Sequence, residues 1–189
     1  NEVFADSFLL TANKDTFKWV PLICTGKGPS PLFSHTATAT GRTMVLAGGY
    51  TSCQDSSRHF SRNVYVLRQS KYGSDWSTVA FTDSLACRYS HTATFLSNQI
   101  IILMGGVRAD GNSHALALLN FADKSVKNLN AEDFNGSSTC IRHSACELSL
   151  KSGENVLVKV GGGSQCLAFG HAWDFPIVSA ISLSGLKGD

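Results

Sequence analysis

The sequence lacks several things, and each absence closes off a class of function. No stretch approaches the roughly 18 apolar residues of a membrane-spanning helix; the densest run is Ile100-Ile101-Ile102-Leu103-Met104. Residues 1–10 show no basic start leading into a long apolar region, so no secretory signal is read there. Lys and Arg never cluster in a run, and the net charge is only +2. A uniformly basic nucleic-acid surface is therefore excluded, and any RNA contact would be local. The six cysteines (24, 53, 87, 140, 146 and 166) form no CxxC or CxxH pair. That spacing offers no zinc site, and it reads as reduced cysteines used as small apolar residues. Neither GxxxxGK[ST] nor a GxGxxG ahead of a helix occurs, and helical periodicity is absent over any useful length. The first residue is Asn rather than Met, which reads as a processed chain or a fragment. An intracellular, cytoplasmic protein with no membrane partner is the expectation.

What is present is a repeat. The chain has 189 residues, 43% of them apolar and only 16% charged, enough for a packed core in one domain. "FSHTATATGRTMVLAGGY" (33–50) lies over "YSHTATFLSNQIIILMGGV" (89–107), and "RHSACELSLKSGENVLVKVGGG" (142–163) follows the same plan. Each copy carries a histidine and a hydroxyl residue, an alternating strand, a polar turn, an apolar strand and a glycine pair. The anchors are His35, His91 and His143, and the pairs are Gly48-Gly49, Gly105-Gly106 and Gly161-Gly162. Further strands are predicted at 63–68, 75–81, 114–121 and 125–130, and two at the N-terminus, where Trp19 is the counterpart of Trp76. Four short strands per roughly 50 residues, with Gly-Gly closing the second, is the pattern of kelch-type blades. The expected fold is all-β, a partial β-propeller of about three blades and part of a fourth. Its predicted units are 1–27 (end of a blade), 28–83, 84–134, and 135–189 with the closing strands.

Ser90 beside His91 invites a catalytic reading, but neighbours on a strand point to opposite faces and the pair recurs in every copy. The histidines and glycine pairs are read as scaffold, with the His-Ser/Thr pairs bonding buried backbone between strands or blades. Trp19 and Trp76 are read as packing between blades. No residue is assigned to catalysis, cofactor or metal. The candidate partner contacts are Arg58, His59 and Arg62 in the inserted loop 51–62, Arg108 in the equivalent loop 107–114, and Arg88, whose counterparts Leu32 and Cys140 show that the blade plan does not require it. Both loops are expected to emerge on one face, since rigid scaffolds carry binding residues in inserted loops.

The same segments, and above all "GGGSQCLAFGHAWDFPIVSAISL" (161–183), resemble the C-terminal kelch propeller of the wybutosine-synthesising methyltransferases, relatives of the leucine carboxyl methyltransferases. The resemblance covers essentially the whole chain. It implies a parent enzyme that uses S-adenosylmethionine to finish the tricyclic base beside the anticodon of phenylalanine tRNA, with cofactor pocket and catalytic residues in a separate methyltransferase domain. No cofactor is then held by these 189 residues. Their partners would be that domain, the rest of a six-bladed ring, and tRNA. The implied half-ring, open at both ends, would not be a stable monomer alone. The alternative function is a kelch adaptor that binds a protein partner, such as a ubiquitin-ligase substrate receptor or a cytoskeletal binder.

Overall fold

The structure, a computed structural model, describes residues 3–52, 58–81, 87–108, 116–129, 140–163 and 178–184. Among these residues every regular element is a strand. An N-terminal hairpin pairs β1 (Phe8–Asn13) with β2 (Thr16–Pro21). The first full unit is an antiparallel meander of β5 (Thr36–Thr40), β6 (Thr43–Ala47), β9 (Val64–Ser70) and β10 (Gly73–Val79). The short β3 (Cys24–Gly26), ahead of the expected 27/28 boundary, pairs in parallel with the outer edge of β10. A small sheet of β4 (Leu32–Phe33), β7 (Tyr50–Ser52) and β8 (Arg58–Phe60) continues the inner strands past a bend. The second unit is β11 (Arg88–Phe95), β12 (Ile100–Arg108), β13 (Leu116–Asn120) and β14 (Ser125–Leu129). The third is β15 (Ile141–Ser149), β16 (Asn155–Gly163) and β17 (Val178–Ser182). The expected boundaries at 83/84 and 134/135, and residues 164–175 of the closing motif, lie outside the described residues.

Two-residue alternation explains how the units stack. In a strand covered on both faces, side chains at even and odd positions enter different interfaces, so the strand reads as an unbroken apolar run. The run 100–104 does this: Ile101 and Leu103 join Val45, Ala47, Val64 and Val66 of the first unit. Ile102 and Met104 instead join Leu157 and Leu183 of the third. Each buried Val, Ile, Leu or Met side chain among them contributes about 1.5–3 kcal/mol. A third cluster sits on the other side of the first unit, where Leu32, Leu46, Tyr65, Leu67 and Trp76 pack with Leu22 and Cys24. Stacked antiparallel sheets of this kind, without a described helix, are compatible with a β-propeller.

The glycine pairs mark a corner in each unit. All six of their glycines have positive φ, from 64° at Gly105 to 100° at Gly162. The facing strand bends at the same place, through residues whose backbone the sequence did not mark: Ser34, Ser90 and Arg142 have φ of 55°, 56° and 58°. Pairing skips these positions, running from Tyr89↔Val107 to His91↔Gly105 and from Ile141↔Gly163 to His143↔Gly161. Glycine tolerates this left-handed backbone at little cost, whereas serine and arginine do so with strain.

Candidate functional site

Two of the three histidines build the joints between units. His91 Nε2 is hydrogen-bonded to Thr36 Oγ1 of the preceding unit at 2.9 Å, and His143 Nε2 to Thr92 Oγ1 at 3.0 Å. A backbone bond runs beside each: Gly49 N–H donates to the Arg88 carbonyl at 2.8 Å, and Gly106 N–H to the Cys140 carbonyl at 2.7 Å. The sequence reading anticipated a histidine bonded to buried backbone; His143 does bond the backbone of Met104 in the preceding unit, and the Nε2 partner of both rings is a threonine hydroxyl one unit away. The serine beside His91 takes no part in this bond, since its backbone N–H reaches the Ser34 carbonyl at 3.1 Å. Thr92→Val would leave His143 Nε2 buried without its hydroxyl. We expect a loss of about 1–3 kcal/mol in chemical denaturation, and an unchanged midpoint would remove Thr92 from the joint.

Burial sets the protonation of these rings. The His91 imidazole is pushed down to about 3, first by burial and then by the positive charge of Arg88 and the neighbouring histidines. Among the described residues its Nδ1 meets no hydrogen-bond partner. His143 is pushed down to about 4 by burial and by Lys159, against an opposing hydrogen bond that the ring donates to the Met104 backbone. Its Nδ1 lies 3.5 Å from Cys140 Sγ, to which Lys159 Nζ donates at 3.8 Å. Burial raises the Cys140 thiol despite that lysine, which keeps it protonated and unreactive.

The five candidate contact residues do not form one surface. His59 and Arg62 are exposed, on and just after β8. Arg58 pairs with Ser52 across β7 and β8, and its side chain lies outside the described residues. Arg88 and Arg108, by contrast, are buried, at 0% and 8% exposure. They face each other across β11 and β12, and Arg88 Nη1 donates to the Gly105 carbonyl at 3.0 Å. The expectation that these two arginines present themselves to a partner is corrected. Arg88 opens β11 and Arg108 closes β12. Residues 53–57 and 109–114 of the two inserted loops lie outside the described residues.

Trp76 is buried as expected, but Trp19 is 65% exposed. The difference is local: β3 runs along β10, and Gly28 packs on the Trp76 ring, while no described strand covers β2 in that way. One grouping escaped the sequence reading. Phe33, Tyr50, Phe60 and Tyr89 form a cluster with ring centroids 4.4–5.7 Å apart, tying β4, β7 and β8 to the start of β11. Its sequence signal is an aromatic beside the first two corners, at Phe33, Tyr50 and Tyr89. Among the described residues no group of three His, Cys, Asp or Glu side chains could hold a metal ion. No helix there is long and apolar enough to cross a membrane.

No protein-family model matches the chain. The chain is similar to tRNA wybutosine-synthesizing protein 4 of Rattus norvegicus, with 29% identity over 93 residues. The match takes in 49% of this chain and 13% of the rat protein, so the chain spans only a small part of that relative's length.

Proposed function

We propose that these residues are a kelch-type β-propeller segment, about three blades and part of a fourth, that serves as a scaffold or tRNA-positioning module in a wybutosine-forming tRNA methyltransferase. The observation that carries this reading is the similarity to the rat wybutosine-synthesizing protein. The repeated histidine–threonine joint supports it, because it makes a rigid array suited to holding a surface in place rather than to chemistry. Catalysis and S-adenosylmethionine would belong to a separate methyltransferase domain. On this reading the contact face is the edge that carries the exposed His59 and Arg62, together with Arg58, where arginines can meet the phosphate backbone without reading sequence. Arg88 and Arg108 do not contribute to it, because they are buried.

The test is made in the complete methyltransferase. Arg58→Glu and Arg62→Glu together should weaken tRNA binding by roughly tenfold or more and lower the slope of log K against log salt by about 2. Affinity and salt slope equal to those of the unaltered protein would exclude this face as a tRNA contact.

A further inference from the structure

The joint between the first two units is not sealed along its whole length. At the strand ends opposite the glycine corners it holds a cavity of about 310 Å³, the size of a small-molecule site. Its inner wall belongs to the shared core. Val45 and Val66 are buried members of the cluster that joins these units, and Phe95 and Phe121 pack against that cluster from the second unit. The rest of the lining is polar: Thr43 and Arg68 come from the first unit, Asn98 and Gln99 from the turn ahead of β12. Arg68, Asn98 and Gln99 are exposed, so the cavity has an apolar, aromatic interior and a polar rim.

The second joint shows the same place filled. Counting back from the glycine pairs puts Ile100 at the position of Thr43 and Ile102 at that of Val45. Strand pairing puts Asn120 at the position of Arg68, since Thr43↔Arg68 corresponds to Ile100↔Asn120. Ile100 packs against the cluster that contains Ile102 and Leu118. The first joint thus carries a hydroxyl where the second carries an isoleucine, and a guanidinium where the second has a short amide. Packing two units together requires neither.

Arg68 is positioned without being neutralised. Its Nη1 donates to Ser77 Oγ at 3.3 Å, and among the described residues it makes no ion pair. Asp75, paired with it across β9 and β10, accepts instead from Thr25 Oγ1 at 2.7 Å. A guanidinium has five N–H donors, so most of its donor capacity stays available at the rim.

We infer that this cavity binds a phosphate monoester carried on a planar ring, the chemistry of a nucleoside monophosphate. Arg68 takes the phosphate charge, for which its planar fork is suited. Thr43, Asn98 and Gln99 donate to the remaining oxygens. The ring lies against Phe95 and Phe121 over the two valines, where any base can stack or pack. One charged and three neutral donors match the three oxygens of a phosphate more fully than the two of a carboxylate. The site lies at the other end of the strands from β8, so it does not depend on the proposed tRNA contact face.

Calorimetric titration of the complete protein with adenosine 5′-monophosphate should show saturable binding. Adenosine and inorganic phosphate should each bind more weakly by roughly tenfold or more, because each satisfies only part of the site. Arg68→Gln should weaken nucleotide binding by roughly tenfold or more, the worth of one charge-assisted contact. Thr43→Ile, which copies the second joint, should abolish binding with no loss in denaturation midpoint. No binding at millimolar nucleotide would overturn the inference. Binding that survives both substitutions belongs elsewhere in the protein and would overturn it equally. Benzoate binding as tightly as the nucleotide would overturn the assignment to a phosphate.

Discussion

Gly105→Ala should unfold the second and third units as a pair, at a cost on the order of 4 kcal/mol or more, while the same change at Gly161 should cost about 1–2 kcal/mol. The two glycines share a left-handed backbone, with φ of 64° and 70°, so the conformational penalty of adding a Cβ is the same for both. They differ in what that Cβ would meet. At Gly105 it would collide with the Cys140 carbonyl and come within 2.8 Å of His143 Cε1, whereas at Gly161 nothing described lies within 4 Å. The Cys140 carbonyl cannot move aside, because it accepts the Gly106 N–H that closes the joint. Gly48 repeats the arrangement against the Arg88 carbonyl and His91. Denaturant midpoints of Gly48→Ala, Gly105→Ala and Gly161→Ala measure the contrast. Equal losses at all three would mean that backbone strain alone fixes these glycines and that the joint contributes nothing.

Acid should loosen the same joints well before the carboxylates titrate fully. Both buried imidazoles have folded pKa values below the unfolded value near 6.5, at about 3 for His91 and about 4 for His143. Above pH 6.5 neither state binds these protons, and the pair adds no slope. As the pH falls below 6.5, the unfolded chain takes up two protons that the folded chain refuses. Stability then drops by about 1.4 kcal/mol per pH unit for each histidine, or about 2.7 for the two together. The slope halves once His143 protonates in the fold near pH 4, and it ends near pH 3. For a domain of ordinary marginal stability this is enough to unfold it between about pH 5 and 4. Melting temperatures from pH 8 to 4 follow the effect, and His91→Gln should remove about half of the slope between pH 6.5 and 5. A flat profile over that window, or histidine NMR signals titrating near 6.5, would show that the rings are not held neutral by burial.

Much of this architecture was legible in the residues. The alternating strands, their order and the equivalence of the three histidine-to-glycine copies follow from patterning, since a period of two and a turn each leave a local mark. The positive φ at the glycine pairs could be anticipated because only glycine adopts it cheaply. Left-handed Ser34, Ser90 and Arg142 could not, because their side chains advertise nothing; the facing glycines and the stacking of the next unit impose the bend on them.

The candidate contacts were the least legible. Arg88 and Arg108 looked like unexplained polar residues near loops, and such residues are usually exposed. Their burial depends on tertiary packing, which no local window contains. His59 and Arg62 are at the surface, on and just after β8 of the small sheet.

The sequence by itself determined that this protein is made of strands and which histidine, hydroxyl and glycine positions are equivalent. These are properties of a residue and its near neighbours. Only the tertiary structure decided that His91 reaches Thr36 across 55 residues and that two arginines are buried. Each of these depends on what a distant part of the chain brings against the residue, and burial is a property of the pair of surfaces rather than of either alone.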